Sequence, residues 1–341
     1  MKRALLLGLS LALAACKTDP VTLEFSGETM GTTYNITAVD KTAELQPEEV
    51  AAAIVAALDG VNSKMSNWDP NSEVSKFNAS QSTAPVTISD EFGEVMQAAG
   101  EIHRLSDGQF DVTLGPLIEL WGFGTRTPES PVPADDEIAA ALDRVGQGDV
   151  LTLARDDKTL AKAFPDTSVY LAAIAKGYGV DSIAEVMRGF GLTDFLVEIG
   201  GDLYTAGNNP EGKGWRIGIE RPDAASSDLQ EIVEIGDLGM ATSGDYRNYF
   251  EQDGVRYSHI IDAVTGRPIA HGTASVTVIA ESAMMADGWA TAMLALGAER
   301  GLPISEKLDL AVLFISRDSD ANEVSFVTTP SPRFMELLAD K

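Results

Sequence analysis

Asp287 and Thr291 stand four residues apart in a segment, 282–296, whose apolar residues (Met284, Met285, Ala286, Trp289, Ala290, Met293) predict a helix. That spacing puts a carboxylate and a hydroxyl on one helix face. Both are hard oxygen donors of the kind Mg²⁺ and Ca²⁺ accept. A carboxylate among apolar neighbours needs a partner, either a cation or a backbone N–H near the helix start. A second candidate is Ala173-Ile174-Ala175-Lys176-Gly177-Tyr178-Gly179-Val180-Asp181. There an apolar run stops at Lys176, passes two glycines and enters a helical pattern from Val180. Glycines admit a ligand close to the backbone, and a helix start offers free N–H groups to an anion. The segment reads either as a phosphate site or as a tight turn carrying a solvated lysine.

The chain has three histidines. His103 lies near the end of an amphipathic helix and reads as structural, and His271 follows Pro268 in a loop and reads as solvated. His259, in Tyr257-Ser258-His259-Ile260-Ile261-Asp262, is either a general base at a strand end or a satisfied polar residue. Asp262 is close enough in sequence to orient it. Gly200-Gly201-Asp202 and Thr242-Ser243-Gly244-Asp245 read as small-residue turns with room for a ligand. Trp68, in Ser66-Asn67-Trp68-Asp69-Pro70, is an aromatic in a polar loop, free to stack on a ring or to cap the core. Gly177-x-Gly179-x-x-Ser182, with Glu198 downstream, imitates a dinucleotide fingerprint. Serine replaces its third glycine, and the reading leaves Asp287 and Thr291 without a role.

The elements that must position these groups are mixed. Strands are expected at 23–26, 32–39, 195–199, 203–206, 215–220, 232–235, 257–261, 275–280 and 310–315. Helices are expected at 47–65, from the Ser89 cap to about 106, at 133–145, 180–190 and 282–296, with a hairpin over 152–163. Without strict strand–helix alternation this is an α+β chain, not a doubly wound sheet. Segments 125–136 and 223–228 read as surface loops.

The formal net charge of −27 argues against nucleic-acid binding, since phosphate backbones need basic patches. An anionic ligand would need local cations, such as a metal ion. The single cysteine, Cys16, excludes an internal disulfide, a thiolate metal site and any other cysteine nucleophile. It follows Lys2-Arg3, an apolar run and Leu13-Ala14-Ala15, the pattern of a lipoprotein signal peptide. Residues 1–15 are expected to be removed, with lipid on Cys16, residues 16–22 a tether, and 23–341 one domain.

These segments, in order, resemble the ApbE family of FAD:protein FMN transferases. The resemblance runs through Met30-Gly31-Thr32, the Trp68 loop with Ser72-Glu73-Val74-Ser75-Lys76-Phe77-Asn78, and Gly108-Gln109-Phe110-Asp111-Val112-Thr113 with Gly115-Pro116-Leu117. It continues through 173–181, Gly200-Gly201-Asp202, Thr242–Asp245, 259–268, and Asp287 with Thr291. It implies a compact α+β domain that uses a divalent metal, usually Mg²⁺ with Ca²⁺ as the other candidate. The implied reaction moves FMN from FAD to a threonine or serine of an acceptor protein and releases AMP. Acceptors in such families are flavin-carrying subunits of membrane redox complexes, and lipoprotein members sit on the periplasmic side of the bacterial envelope. Carried over by residue, the metal ligands are Asp287, Thr291 and the Ala173 carbonyl. The flavin-site residues are Met30, Trp68, Gly108, Gln109, Phe110, Asp111, Lys176 and Ile261. His259 would activate the acceptor hydroxyl. Tyr170 replaces an acid that contacts the nucleotide in the family, and is free to stack or hydrogen-bond instead. Two other outcomes stay open: hydrolysis of FAD to FMN and AMP, and FAD binding without chemistry.

Overall fold

The computed structural model describes residues 19–123, 130–223, 228–246, 248–318 and 325–339. Its centre is an eight-stranded antiparallel sheet. Across the sheet the strands run Val21–Thr29, Thr32–Asp40, Phe195–Ile199, Asp202–Ala206, Gly239–Gly244, Thr273–Ala280, Ala311–Arg317 and Phe326–Pro330. Mixed helices and strands in one compact domain is the class the sequence led us to expect.

Both faces of the sheet are covered, and the strands show it. Ala241, Val276, Val278, Val312 and Phe314 belong to the core beneath the helices. Their neighbours Met240, Ile279, Leu313 and Ile315 pack on the other side with Trp215, Ile217 and Phe334. Alternate side chains thus enter two cores, which is why Thr273–Ala280 is buried along almost its whole length. The second core is closed by the hairpin Trp215–Glu220/Leu229–Ile235 and the helix Pro332–Ala339. On the first face lie the helices Pro47–Met65, Asp90–Leu105, Ala175–Gly189 and Ala283–Lys307.

Several expectations shift. The tether assigned to residues 16–22 ends early, because Val21 and Thr22 pair with Asp40 and Val39 and extend the first strand. Residues 1–18, with the signal segment and Cys16, lie outside the described residues, as do 125–129 of the loop expected at 125–136 and 224–227 of that expected at 223–228. Thr242-Ser243-Gly244 is not a turn. It ends the central strand Gly239–Gly244, with Thr242 opposite Thr277. Residues 257–261 are not one strand but the end of Val255–Ser258 and the start of Ile261–Asp262. The helix expected to stop at 296 does so at Gly297, whose left-handed backbone (φ 71°) separates it from the second half of Ala283–Lys307. His271 is not solvated: its ring packs against Gly297, where a Cβ would sit 2.8 Å from it, and burial lowers its pKa.

The helix Ala175–Gly189 starts five residues before the expected 180, so both glycines lie inside it. A Cβ on Gly177 would meet the Ala283 carbonyl oxygen at 2.2 Å, and one on Gly179 would meet the Met30 Cε at 2.8 Å. Gly177 permits close helix packing and Gly179 makes room for the Met30 side chain, and neither forms a loop around phosphate. The two helices are joined reciprocally. Asp181 accepts from the N–H groups of Ala283 (2.8 Å) and Met284 (2.9 Å), and the Gly177 N–H donates to Asp287 (3.1 Å).

Candidate active site

Two adjoining cavities open where these helix starts meet the sheet. One, of about 330 Å³, is lined by Gln109, Phe110, Asp111, Ala173, Lys176, Ser243, His259, Ile261, Asp287 and Thr291 among others. The second, of about 420 Å³, is lined by Met30, Asn67, Trp68 and others. Tyr170, Ala172 and Lys176 border both.

Asp287 is a buried carboxylate. Its neighbours are apolar, and burial raises its pKa against the pull of Lys176 and the Gly177 N–H. Thr291, one turn on, faces Ser243, with the two hydroxyl oxygens 3.1 Å apart. Ala173, two residues before the helix Ala175–Gly189, lines the same cavity. Carboxylate, hydroxyls and carbonyl form a hard-oxygen set, which fits a divalent cation of the Mg²⁺ or Ca²⁺ type.

Charge balance supports the same fit. The Lys176 ammonium is bonded to the Asp202 carboxylate, which also accepts from the Thr242 N–H. Burial pushes Asp202 up to about 7, and Asp287 adds to the effect. Burial works against the Lys176 ammonium, but Asp287 and Asp202 outweigh it and raise its pKa. One cation serves two buried carboxylates, so a bound metal ion would restore the balance. The sequence alone places Asp202 only in a small-residue turn. Its depth beneath Lys176 follows from the pairing of Asp202–Ala206 with Gly239–Gly244, a long-range contact that no local pattern signals.

His259 sits at the mouth of the smaller cavity, its ring edge-on to Phe123 at 6.5 Å. Its Nδ1 lies 2.9 Å from the Asn248 carbonyl. A carbonyl only accepts, so Nδ1 carries the proton and the Nε2 lone pair is left for a substrate. Burial lowers its pKa, which keeps the ring neutral at pH 7. Asp262 does not orient it. That carboxylate accepts from the Val264 and Thr265 N–H groups and pairs with Arg300, because an aspartate at a strand end closes its own turn first.

The remaining expected residues divide. Met30 occupies a left-handed position (φ 51°) in the two-residue turn with Gly31, which carries its side chain against Gly179. Trp68 is 94% exposed. Burying a ring of that size is worth on the order of 4 kcal/mol, so its display beside a cavity favours stacking over capping the core. The Tyr170 hydroxyl donates to Glu119 at 3.1 Å, and its ring lies over Gly115, where a Cβ would be 2.2 Å from it. Ile261 and Gln109 line the smaller cavity. Phe110 is buried, with its carbonyl taken by His103 Nδ1. The Asp111 carboxylate is already held by the N–H groups of Thr113 and Gln147, so it builds the turn. Gly108 is not brought to the site. It turns the chain at φ 80° and lines a separate cavity of about 710 Å³ with His103 and Arg104.

The sequence pattern of the ApbE family matches residues 30–314. The chain belongs to the ApbE family. A FAD:protein FMN transferase of Vibrio cholerae is 43% identical over 310 residues, covering 91% of this chain and 92% of the relative. One from Haemophilus influenzae is 39% identical over 337 residues, covering 98% of this chain and 96% of that protein. The solved flavin transferase ApbE from Vibrio cholerae superposes with a TM-score of 0.84 at 40% identity, covering 93% of this chain and 99% of that one. The ApbE-family fold therefore extends over the sheet and helices that form both cavities.

Proposed function

We propose that this ApbE-family chain transfers the FMN half of FAD to a threonine or serine hydroxyl of an acceptor protein, releasing AMP. The observation that carries this reading is His259. A neutral imidazole with Nδ1 committed to Asn248 opens onto the same cavity as Lys176, Asp287 and Thr291.

The acceptor hydroxyl oxygen attacks the flavin-side phosphorus. A new phosphoester bond forms, the diphosphate P–O bond breaks, and AMP departs with the bridging oxygen. The hydroxyl proton passes to His259 Nε2. Lys176 holds positive charge beside the diphosphate, and its anchor to Asp202 keeps the ammonium in place. Asp287, Thr291 and the Ala173 carbonyl would hold the metal, Mg²⁺ by preference. When bound there, the ion would supply charge neutralisation for the diphosphate. Met30, Trp68 and Tyr170 form the apolar walls for the ring systems of FAD.

We assign the acceptor to the flavin-carrying subunits of membrane redox complexes, and the protein to the periplasmic side of the envelope through lipid on Cys16. The Leu13-Ala14-Ala15-Cys16 pattern supports this location. Among the described residues no helix is long and apolar enough to cross a membrane.

The test is mass spectrometry after incubation with FAD, Mg²⁺ and a domain bearing a candidate acceptor threonine. A metal-dependent FMN adduct with released AMP is expected. AMP with free FMN and no adduct would replace the reading with a hydrolase, and bound FAD without AMP would replace it with a binding protein.

A further inference from the structure

The exposed Trp68 indole rests on no core, yet its backbone is held with unusual care. Ser66 Oγ accepts from the N–H groups of Trp68 and Asp69 (both 3.3 Å), and the Ser66 carbonyl accepts from the hydroxyls of Ser72 and Ser75. The next residue, Asn67, reaches a segment a hundred residues away. Its amide NH₂ donates to the Val169 carbonyl at 2.7 Å, and its oxygen accepts from the Leu171 N–H at 3.0 Å. One side chain therefore brackets Tyr170 on both sides. The Tyr170 N–H donates to the Val112 carbonyl at 2.8 Å, so this short extended segment is pinned along both edges. The Asn78 side chain binds Val169, at both its N–H (2.7 Å) and its carbonyl (2.9 Å), and does not reach Leu171.

Asn67 is covalently next to Trp68 and hydrogen-bonded on either side of Tyr170, and all three residues line the larger cavity. We propose that Asn67 is a positioning residue. It sets the separation between the Trp68 indole and the Tyr170 ring, so that the two hold the flavin ring between them without rearranging. A platform fixed before the ligand arrives loses less freedom on binding. The proposal rests on FAD being the ligand.

The test is FAD titration of the full chain with Mg²⁺, read by flavin fluorescence quenching and by induced visible circular dichroism. Asn67→Ala is expected to weaken FAD binding about tenfold and to change the dichroism of bound flavin. In a Trp68→Ala background the same change should cost under about twofold, because the separation no longer matters. Asn78→Ala should lower the melting temperature and leave the flavin dichroism unchanged. Should Asn67→Ala fail to fold, Asn67→Asp keeps the acceptor for Leu171, sets a charge against the Val169 carbonyl, and should reproduce the loss. Equal losses with and without Trp68, or an Asn78→Ala spectrum matching that of Asn67→Ala, would overturn the proposal and leave FAD binding intact. A wild-type chain that fails to quench FAD would overturn the FAD reading and this proposal together.

Discussion

The Lys176 ammonium is bonded to the carboxylate of Asp202, a residue almost wholly buried at the start of a central strand. Asp287 draws on the same ammonium through its charge. With both carboxylates ionised, as metal binding requires, Asp202→Asn would shift the charge of the Asp202–Lys176–Asp287 group from −1 to neutral and release Lys176 to compete at Asp287. Divalent-metal affinity is expected to fall by about tenfold or more, since affinity follows the count of charged groups at such sites. Calorimetric titration with Mg²⁺ measures this directly, and unchanged affinity would refute the assigned role.

Asp287→Asn separates metal binding from folding. Burial holds the Asp287 pKa above the ordinary value, so the ionised carboxylate is an unfavourable group in the metal-free fold. The metal-free variant should therefore melt no lower than the parent. Mg²⁺, which raises the parent's melting temperature by mass action, should leave the variant's unchanged. FMN transfer should fall by at least about 100-fold, the scale of losing a principal electrostatic group.

His259→Gln should leave FAD affinity within a few fold and slow transfer by about 10² to 10⁴. Burial lowers the His259 pKa below 6.5, so the base is active above that lowered value and is lost as pH falls through it. The pH profile of transfer should show an acid limb below pH 6.5, and the variant should lack it. The same shift predicts that stability, read by urea unfolding, rises with pH across the interval between the lowered value and 6.5, because the unfolded chain binds the proton more tightly there.

Gly177→Ala would place a methyl 2.2 Å from the Ala283 carbonyl oxygen and push apart the helices that share Asp181 and Asp287. A loss of about 1–3 kcal/mol is expected from overpacking, together with weaker Mg²⁺ binding as the Gly177 N–H leaves Asp287. Thermal melts with and without Mg²⁺ report both effects. A variant as stable as the parent would mean the helices are not in close contact.

The amino-acid sequence by itself determined the local facts. Pro47 and the 3.6-residue apolar repeat delimit the helix Pro47–Met65, and Ser89 caps Asp90–Leu105 through the Phe92 N–H. The i, i+4 spacing of Asp287 and Thr291 puts both at one cavity, because helix geometry is set by neighbours in the chain. Trp215–Glu220 was legible from its alternation. Only the tertiary structure decided what depends on distant residues. It turned Gly177 and Gly179 from a loop into a helix contact, since what they pack against, Ala283 and Met30, lies far off in the chain. It placed Thr242-Ser243 in a central strand because Thr273–Ala280 lies beside it. It sent Gly108 to another cavity, gave His259 the Asn248 carbonyl in place of Asp262, and joined Asn67 to both sides of Tyr170. Each of those contacts is a hydrogen bond or packing choice between segments that local propensity leaves free, and the folded chain settles it by burying apolar surface while pairing the polar groups it encloses.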